Sequence, residues 1–199
     1  MIEIKHIRQT NDGFNWKCGA ACLEMVFSYY NIAKKQDEIW EATNSSRRTG
    51  VGQKFILTHD LARYSCETGL PATIYKAYEY KWSDLLDQLA DHQIPAILSL
   101  RQKKSGQSHF IVYIGKKKNC YCFCDPDEKR DIVTYDFITM IDIWRPQPFI
   151  DVAGYILICF GEKEDTVICG SCHRELPIVH KWIKGYSRAV ICPYCDGFV

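Results

Sequence analysis

Apolar residues recur at helical spacing over residues 19–30, through Ala20, Ala21, Cys22, Leu23 and Val26, directly after a polar, turn-rich segment that ends at Cys18. This predicts a first helix over 19–30, with Asn31 as a left-handed cap. Ahead of it, Ile2, Ile4 and Ile7 mark an extended segment with inward side chains. Residues 36–43 read as a short helix that turns Ile39 and Trp40 inward, and residues 53–68 as a longer one through Phe55, Ile56, Leu61 and Tyr64, stopped by Gly69. A strand is expected over 70–75. Ser83 is placed as the N-cap of a helix running to about His92, with Asp84 facing the positive end of its dipole. Pro95 separates that helix from a strand over 96–100.

The pattern then changes to continuous β-branched and aromatic runs. His109 opens one such run, Phe110 to Gly115, and Tyr121 to Cys124 forms a second, which Pro126 ends by forcing the chain out of the ladder. Residues 115–119 are read as the hairpin turn between them. Cys120, Cys122 and Cys124 alternate and so share one strand face, where they are read as core or cleft lining. A short helix or bend over 135–142 and a last buried strand over 153–160 follow. Helices mixed with strands, two of them adjacent and antiparallel, are those of an α+β domain, expected over residues 1–160. The charged segment 161–166 is read as a linker, with a second unit over 167–199.

Composition narrows the class. Of 199 residues, 47% are hydrophobic and 25% charged, as in globular proteins, and the net charge of +1 offers no general field for nucleic acid or a membrane surface. The first residues lack the apolar core of a signal peptide, and no apolar run approaches spanning length, so a cytoplasmic protein without a membrane segment is expected. Eleven cysteines in a reducing compartment then divide among a nucleophile, metal ligands and buried thiols.

Cys18 stands at a helix N-terminus, where unpaired N–H groups and the dipole favour the thiolate, the reactive form of cysteine. Gln9, just upstream, is a side-chain amide able to donate to an oxyanion beside that sulfur, with Asn11 and Asn15 as alternative donors. Two adjacent antiparallel strands would bring His109 beside Asp125, supplying a base for the thiol and a carboxylate to fix the tautomer of the base.

These residues, Gln9, then Cys18-Gly19-Ala20-Ala21-Cys22-Leu23, then His109-Phe110-Ile111-Val112, then Asp125-Pro126, in this order, resemble the papain-like peptidase domain of bacteriocin-processing ABC transporters, the double-glycine leader peptidases. The resemblance covers residues 1–160 and implies a papain-like cysteine peptidase that cleaves after a small-residue pair such as Gly-Gly. It departs from the family at Lys17, where an acidic residue is usual, and in a longer gap from Gln9 to Cys18, and the domain is expected not to be fused to a transporter. Amidases, deamidases and acyltransferases use the same triad, and a non-catalytic peptide-binding adaptor is the reading from another class.

Cys169-Gly-Ser-Cys172 and Cys192-Pro-Tyr-Cys195 are two C-x-x-C pairs nineteen residues apart, the spacing of a four-cysteine zinc ribbon. A unit of this size cannot fold by core burial alone, and a structural zinc supplies on the order of 10 kcal/mol or more. Arg174, Lys181, Lys184 and Arg188 surround Trp182 and Tyr186, and docking of a protein partner or a lid role is favoured over nucleic acid. The expected substrate is a peptide or protein.

Overall fold

A computed structural model describes residues 1–10, 16–44, 54–129, 131–147 and 152–199. Asn11 and Asn15 lie outside the described residues. The chain is α+β. Seven strands form one antiparallel sheet in the order β5-β4-β3-β2-β6-β1-β9, and β7 pairs with β8 as a separate hairpin.

Three helices, α1 (Cys18–Tyr29), α2 (Gln36–Thr43) and α3 (Thr58–Glu67), cover one face of the large sheet. α4 (Trp82–Asp91) and α5 (Phe137–Trp144) cover the other. The central strands β1 (Ala72–Ala77), β2 (Ala96–Arg101), β3 (Ser108–Lys117), β4 (Cys120–Cys124) and β6 (Ile156–Phe160) are therefore buried on both sides. This explains their continuous apolar runs, because alternation is needed only where one face meets water. Side chains still alternate between two cores: Ile74, Ile97, Val112, Cys122 and Ile158 point towards α1–α3, while Tyr75, Leu98, Ile111, Tyr113, Phe123 and Leu157 point towards α4 and α5.

Several boundaries differ from the sequence reading. Helix α3 begins at Thr58, because residues 54–57 run extended and lay Phe55 and Ile56 along a cavity instead of a helix face. Ser83 lies inside the first turn of α4, whose cap position is Lys81 with no side-chain hydrogen bond. Strand β3 continues to Lys117, so Gly115 sits at a bulge within the strand and the turn is Lys118 and Asn119. β6 is not the last strand but a central one, between β2 and β1. Asn31, expected as a left-handed cap, has φ 58°.

Residues 161–166, read as a linker, lie largely in β7 (Lys163–Ile168), which pairs with β8 (Glu175–Val179). A 3-10 turn, Lys181–Gly185, leads into β9 (Ser187–Ile191), which is hydrogen-bonded to β1. Ile178, Val179 and Ile183 bury themselves in the core shared with α4 and α5. Among the described residues no helix is long and apolar enough to cross a membrane.

Candidate active site

Cys18 is the first residue of α1 and 7% exposed. The first N–H groups of a helix have no partner within it, so its sulfur lies beside unsatisfied donors. Gly19 makes the close approach possible: a Cβ there would stand 3.2 Å from both Leu61 Cδ1 and Phe110 Cδ2. The absence of that carbon lets α1 settle onto β3 and α3 and brings the sulfur to the strand that carries His109.

His109 is the second residue of β3, and Asp125 directly follows β4. Cys124 is opposite Val112, so continuing the register puts Asp125 diagonally across from His109, within reach of a long side chain. His109 Nε2 lies 2.7 Å from Asp125 Oδ1, and both residues are buried. The Cys18 thiol lies close enough to the same ring to raise its proton affinity. With Nε2 held by Asp125, Nδ1 is the nitrogen left for sulfur. Burial pushes the imidazolium down, but the hydrogen bonds and charges of Asp125 and Cys18 outweigh it, and the net effect carries His109 up to about 10. Burial would likewise raise the Asp125 carboxyl, yet the hydrogen bond and charge of His109 and the N–H of Asp127 hold it below its ordinary value.

Gln9 lies on the turn after Asp125. Its backbone N–H donates to Pro126 O at 2.9 Å and its Nε2 to Asp127 Oδ1 at 2.9 Å, while Gln102 Nε2 donates to the other oxygen of Asp127 at 2.7 Å. The Asp127 N–H in turn donates to Asp125 Oδ1 at 2.9 Å, and His6 Nε2 lies 2.8 Å from the Asp125 carbonyl oxygen. Sequence reading overlooked His6 and Asp127; Asp127, two residues beyond Asp125, had the spacing of an Asx turn as its one local signal. Lys17 Nζ is 3.2 Å from Asp37 Oδ1 and lies over the Trp40 ring, which anchors the start of α1 to α2.

A cavity of about 490 Å³ opens beside Cys18. Trp16, Phe55, Ile56 and Phe110 form its apolar walls near the sulfur, with Ser99, Gln107 and Ser108 as polar groups. Cys22 and Cys124 lie in the core behind, their thiols pushed up by burial, in the case of Cys124 to about 11.

Cys169, Cys172, Cys192 and Cys195 bring four sulfurs within 4.8 Å of one another, none of them in a disulfide. Cys169 to Cys195 is 3.5 Å and Cys172 to Cys192 is 3.7 Å. A tetrahedral ion with bonds of about 2.3 Å separates its sulfurs by about 3.8 Å, so the set fits such an ion. Backbone N–H groups of Cys172 and Ser171 directed at Cys169 hold its thiol below the usual range, and the Tyr194 N–H points at Cys192 Sγ from 3.5 Å.

The model of the Peptidase C39 family matches residues 3–141. No curated protein matches the sequence. Among solved structures, a double glycine motif protease from an AMS/PCAT transporter, in complex with the leader peptide, is similar with a TM-score of 0.55 and 21% identity over 79% of this chain and 91% of that one. The peptidase domain of Streptococcus ComA, a bi-functional ABC transporter involved in a quorum sensing pathway, gives 0.59 and 17% over 81% and 100%. The peptidase domain of Streptococcus mutans ComA gives 0.53 and 15% over 79% and 99%. At such identities these likenesses establish the fold, and the family model, matching more than two thirds of the chain, establishes the rest: the chain belongs to the Peptidase C39 family and is a papain-like cysteine peptidase.

Proposed function

We propose that Cys18, His109 and Asp125 form the catalytic triad of a peptidase that hydrolyses a peptide or protein substrate through an acyl-enzyme. The observation that carries this reading is the buried His109 ring, 2.7 Å from Asp125 Oδ1 and with its proton affinity raised in part by the neighbouring Cys18 thiol, which lines the adjoining cavity. An imidazole with its proton affinity raised to about 10 holds a proton at neutral pH beside the Cys18 sulfur. Cys18 Sγ attacks the scissile carbonyl carbon, and the carbonyl π pair moves onto oxygen. As the intermediate collapses, His109 Nδ1 gives its proton to the departing amine and the C–N bond breaks, leaving a thioester. His109 then takes a proton from water as it attacks, and returns it to sulfur on release of the acid.

The Cys18 N–H and the Gln9 side chain are assigned to the oxyanion. An amide nitrogen carries two N–H groups. Asp127 accepts from one of those on Gln9 Nε2, and this reading assigns the other to the oxyanion. Loss of such a donor typically costs roughly 3–4 kcal/mol of transition-state stabilisation. Cleavage after a small-residue pair of the Gly-Gly type is supported by the likeness to a double glycine motif protease. We assign a structural zinc ion to Cys169, Cys172, Cys192 and Cys195, in a ribbon over 167–199 following a peptidase domain over 1–160; zinc would cross-link the two cysteine pairs of a segment whose Ile178, Val179 and Ile183 already share the core with α4 and α5. The eleven thiols support a reducing, cytoplasmic setting.

Cys18→Ala is expected to abolish cleavage in a peptide-library digest while circular dichroism and zinc content stay unchanged. Retained cleavage would reject the triad. Trapping of the acyl group by an added amine in preference to water would reassign the same site to acyl transfer.

A further inference from the structure

The cavity beside Cys18 has a second end, and it lies on the four-cysteine unit. Its floor is one row of side chains across the sheet. Phe110 on β3 is opposite Ser99 on β2, and Ser99 is followed by Ile156 on β6, which is diagonal to Ile74 on β1. Ile74 is opposite Ile191 on β9. The row continues past β9 because the last residues fold back along it. Ile191 is bridged to Phe198, and Val190 and Val199 exchange backbone hydrogen bonds of 2.8 and 2.9 Å. From β3 to this final segment are five inter-strand steps, about 24 Å at ~4.8 Å each, a distance that an extended peptide covers with about seven residues.

The far end is tied to both sides of the cavity. His59 Nδ1, on α3, meets Asp196 Oδ1 at 2.8 Å, and both residues line the opening. Phe198 is 62% exposed, an aromatic ring left in solvent at the end of an apolar floor. Its position follows from the cysteine cluster. The Asp196 N–H donates to Cys192 O at 3.0 Å and the Cys192 N–H to Gly197 O at 2.9 Å. A Cβ on Gly197 would stand 3.3 Å from Cys195 Sγ.

We propose that residues 196–198 are the distal specificity element of the peptidase cleft. The substrate lies extended across the sheet and places an apolar side chain, aromatic or branched aliphatic, against Phe198 and Ile191, about seven residues from the bond under attack. The four-cysteine centre then selects substrate and takes no part in bond cleavage. This rests on Cys18 being the nucleophile, and the test separates the two statements.

Two series of Gly/Ser peptides carry a chloromethyl ketone at the C-terminus or a chloroacetyl group at the N-terminus, with a single Phe moved stepwise away from the electrophile. Labelling of Cys18 is followed by mass spectrometry, with iodoacetamide as the small reference reagent. In one series, Phe about six to eight residues from the electrophile is expected to speed labelling about tenfold over the Phe-free probe. Phe198→Ala is expected to remove that gain and Phe198→Leu to keep most of it, with the iodoacetamide rate and zinc content the same in both. If no position speeds labelling, or if Phe198→Ala keeps the gain, while iodoacetamide still labels Cys18 ahead of the other thiols, the distal element is refuted and the nucleophile stands. If iodoacetamide labels Cys18 no faster than the buried thiols, the nucleophile reading falls and this inference with it.

Discussion

His109 carries opposing effects that make its behaviour with pH specific. Burial disfavours the imidazolium, Asp125 and Cys18 favour it, and the second pair wins, to about 10. The ordinary imidazole value is about 6.5. A group raised on folding contributes stability that is complete below the unfolded value and disappears as pH climbs through the folded one, here from about 6.5 up to about 10. Asp125 is depressed, so its contribution is present above about 3.9 and is lost as pH falls through its lower folded value. Under the proposed triad, cleavage rate against pH is expected to hold across neutrality and to decline on an alkaline limb near pH 10, where His109 would lose the proton assigned to the leaving amine. A limb near pH 7 would contradict the paired site. Asp125→Ala removes the acceptor of the Nε2 hydrogen bond and is expected to lower kcat by about 10²–10⁴-fold with little change in KM, measured by steady-state kinetics. Cys18, His109 and Asp125 were each visible in sequence because each sits at a boundary with its own signal: a helix start, a strand start and a proline-ended strand. The hydrogen bonds of Gln9 and His6 were not, since both depend on the shape of the turn after Asp125.

Elements with strong periodicity appear where their patterns place them, α2 over the same residues as expected and α1 within one residue. The misses each have a tertiary cause. Phe55 and Ile56 fit a helical period, but the cavity wall takes them before α3 can begin; Gly115 looks like a hairpin turn, but β3 bulges there and runs on. Gly161 is a position where element geometry is tightly constrained. Its φ is +153°, and a Cβ would stand 2.8 Å from His180 Nε2, the same atom that lies 2.8 Å from Phe160 O. Gly161→Ala should therefore strain the backbone and displace the His180 ring, lowering stability by about 1–3 kcal/mol. Urea unfolding checks this, and a midpoint equal to wild type would show that the ring moves aside freely.

Over the whole molecule, the cysteine-rich end is stitched into the sheet. β9 pairs with β1, Thr73 Oγ1 donates to Pro177 O at 2.7 Å and accepts from the Val179 N–H at 3.0 Å, and Ile178, Val179 and Ile183 share a core with α4 and α5. Removing the zinc proposed for the four cysteines should consequently destabilise the entire chain and not the ribbon alone. Ligand linkage of about 4 kcal/mol or more, at roughly 2–4 °C per kcal/mol for a chain of this size, predicts that Cys192→Ser loses zinc and lowers Tm by about 10 °C in a single calorimetric transition. Two transitions, with the upper one at the wild-type Tm, would show an independent ribbon.

The order of residues along the chain was enough to identify a thiol at a helix front, its imidazole and carboxylate partners on neighbouring strands, and two cysteine pairs spaced for one ion. Each of these is written in local period, in breakers such as Pro126, or in short spacings. That β9 closes onto β1, and that Phe198 thereby comes to lie on the same cavity as Cys18, rests on pairings between residues more than a hundred positions apart. Such pairings are settled by which faces find a common core when the chain folds, and no local pattern records them.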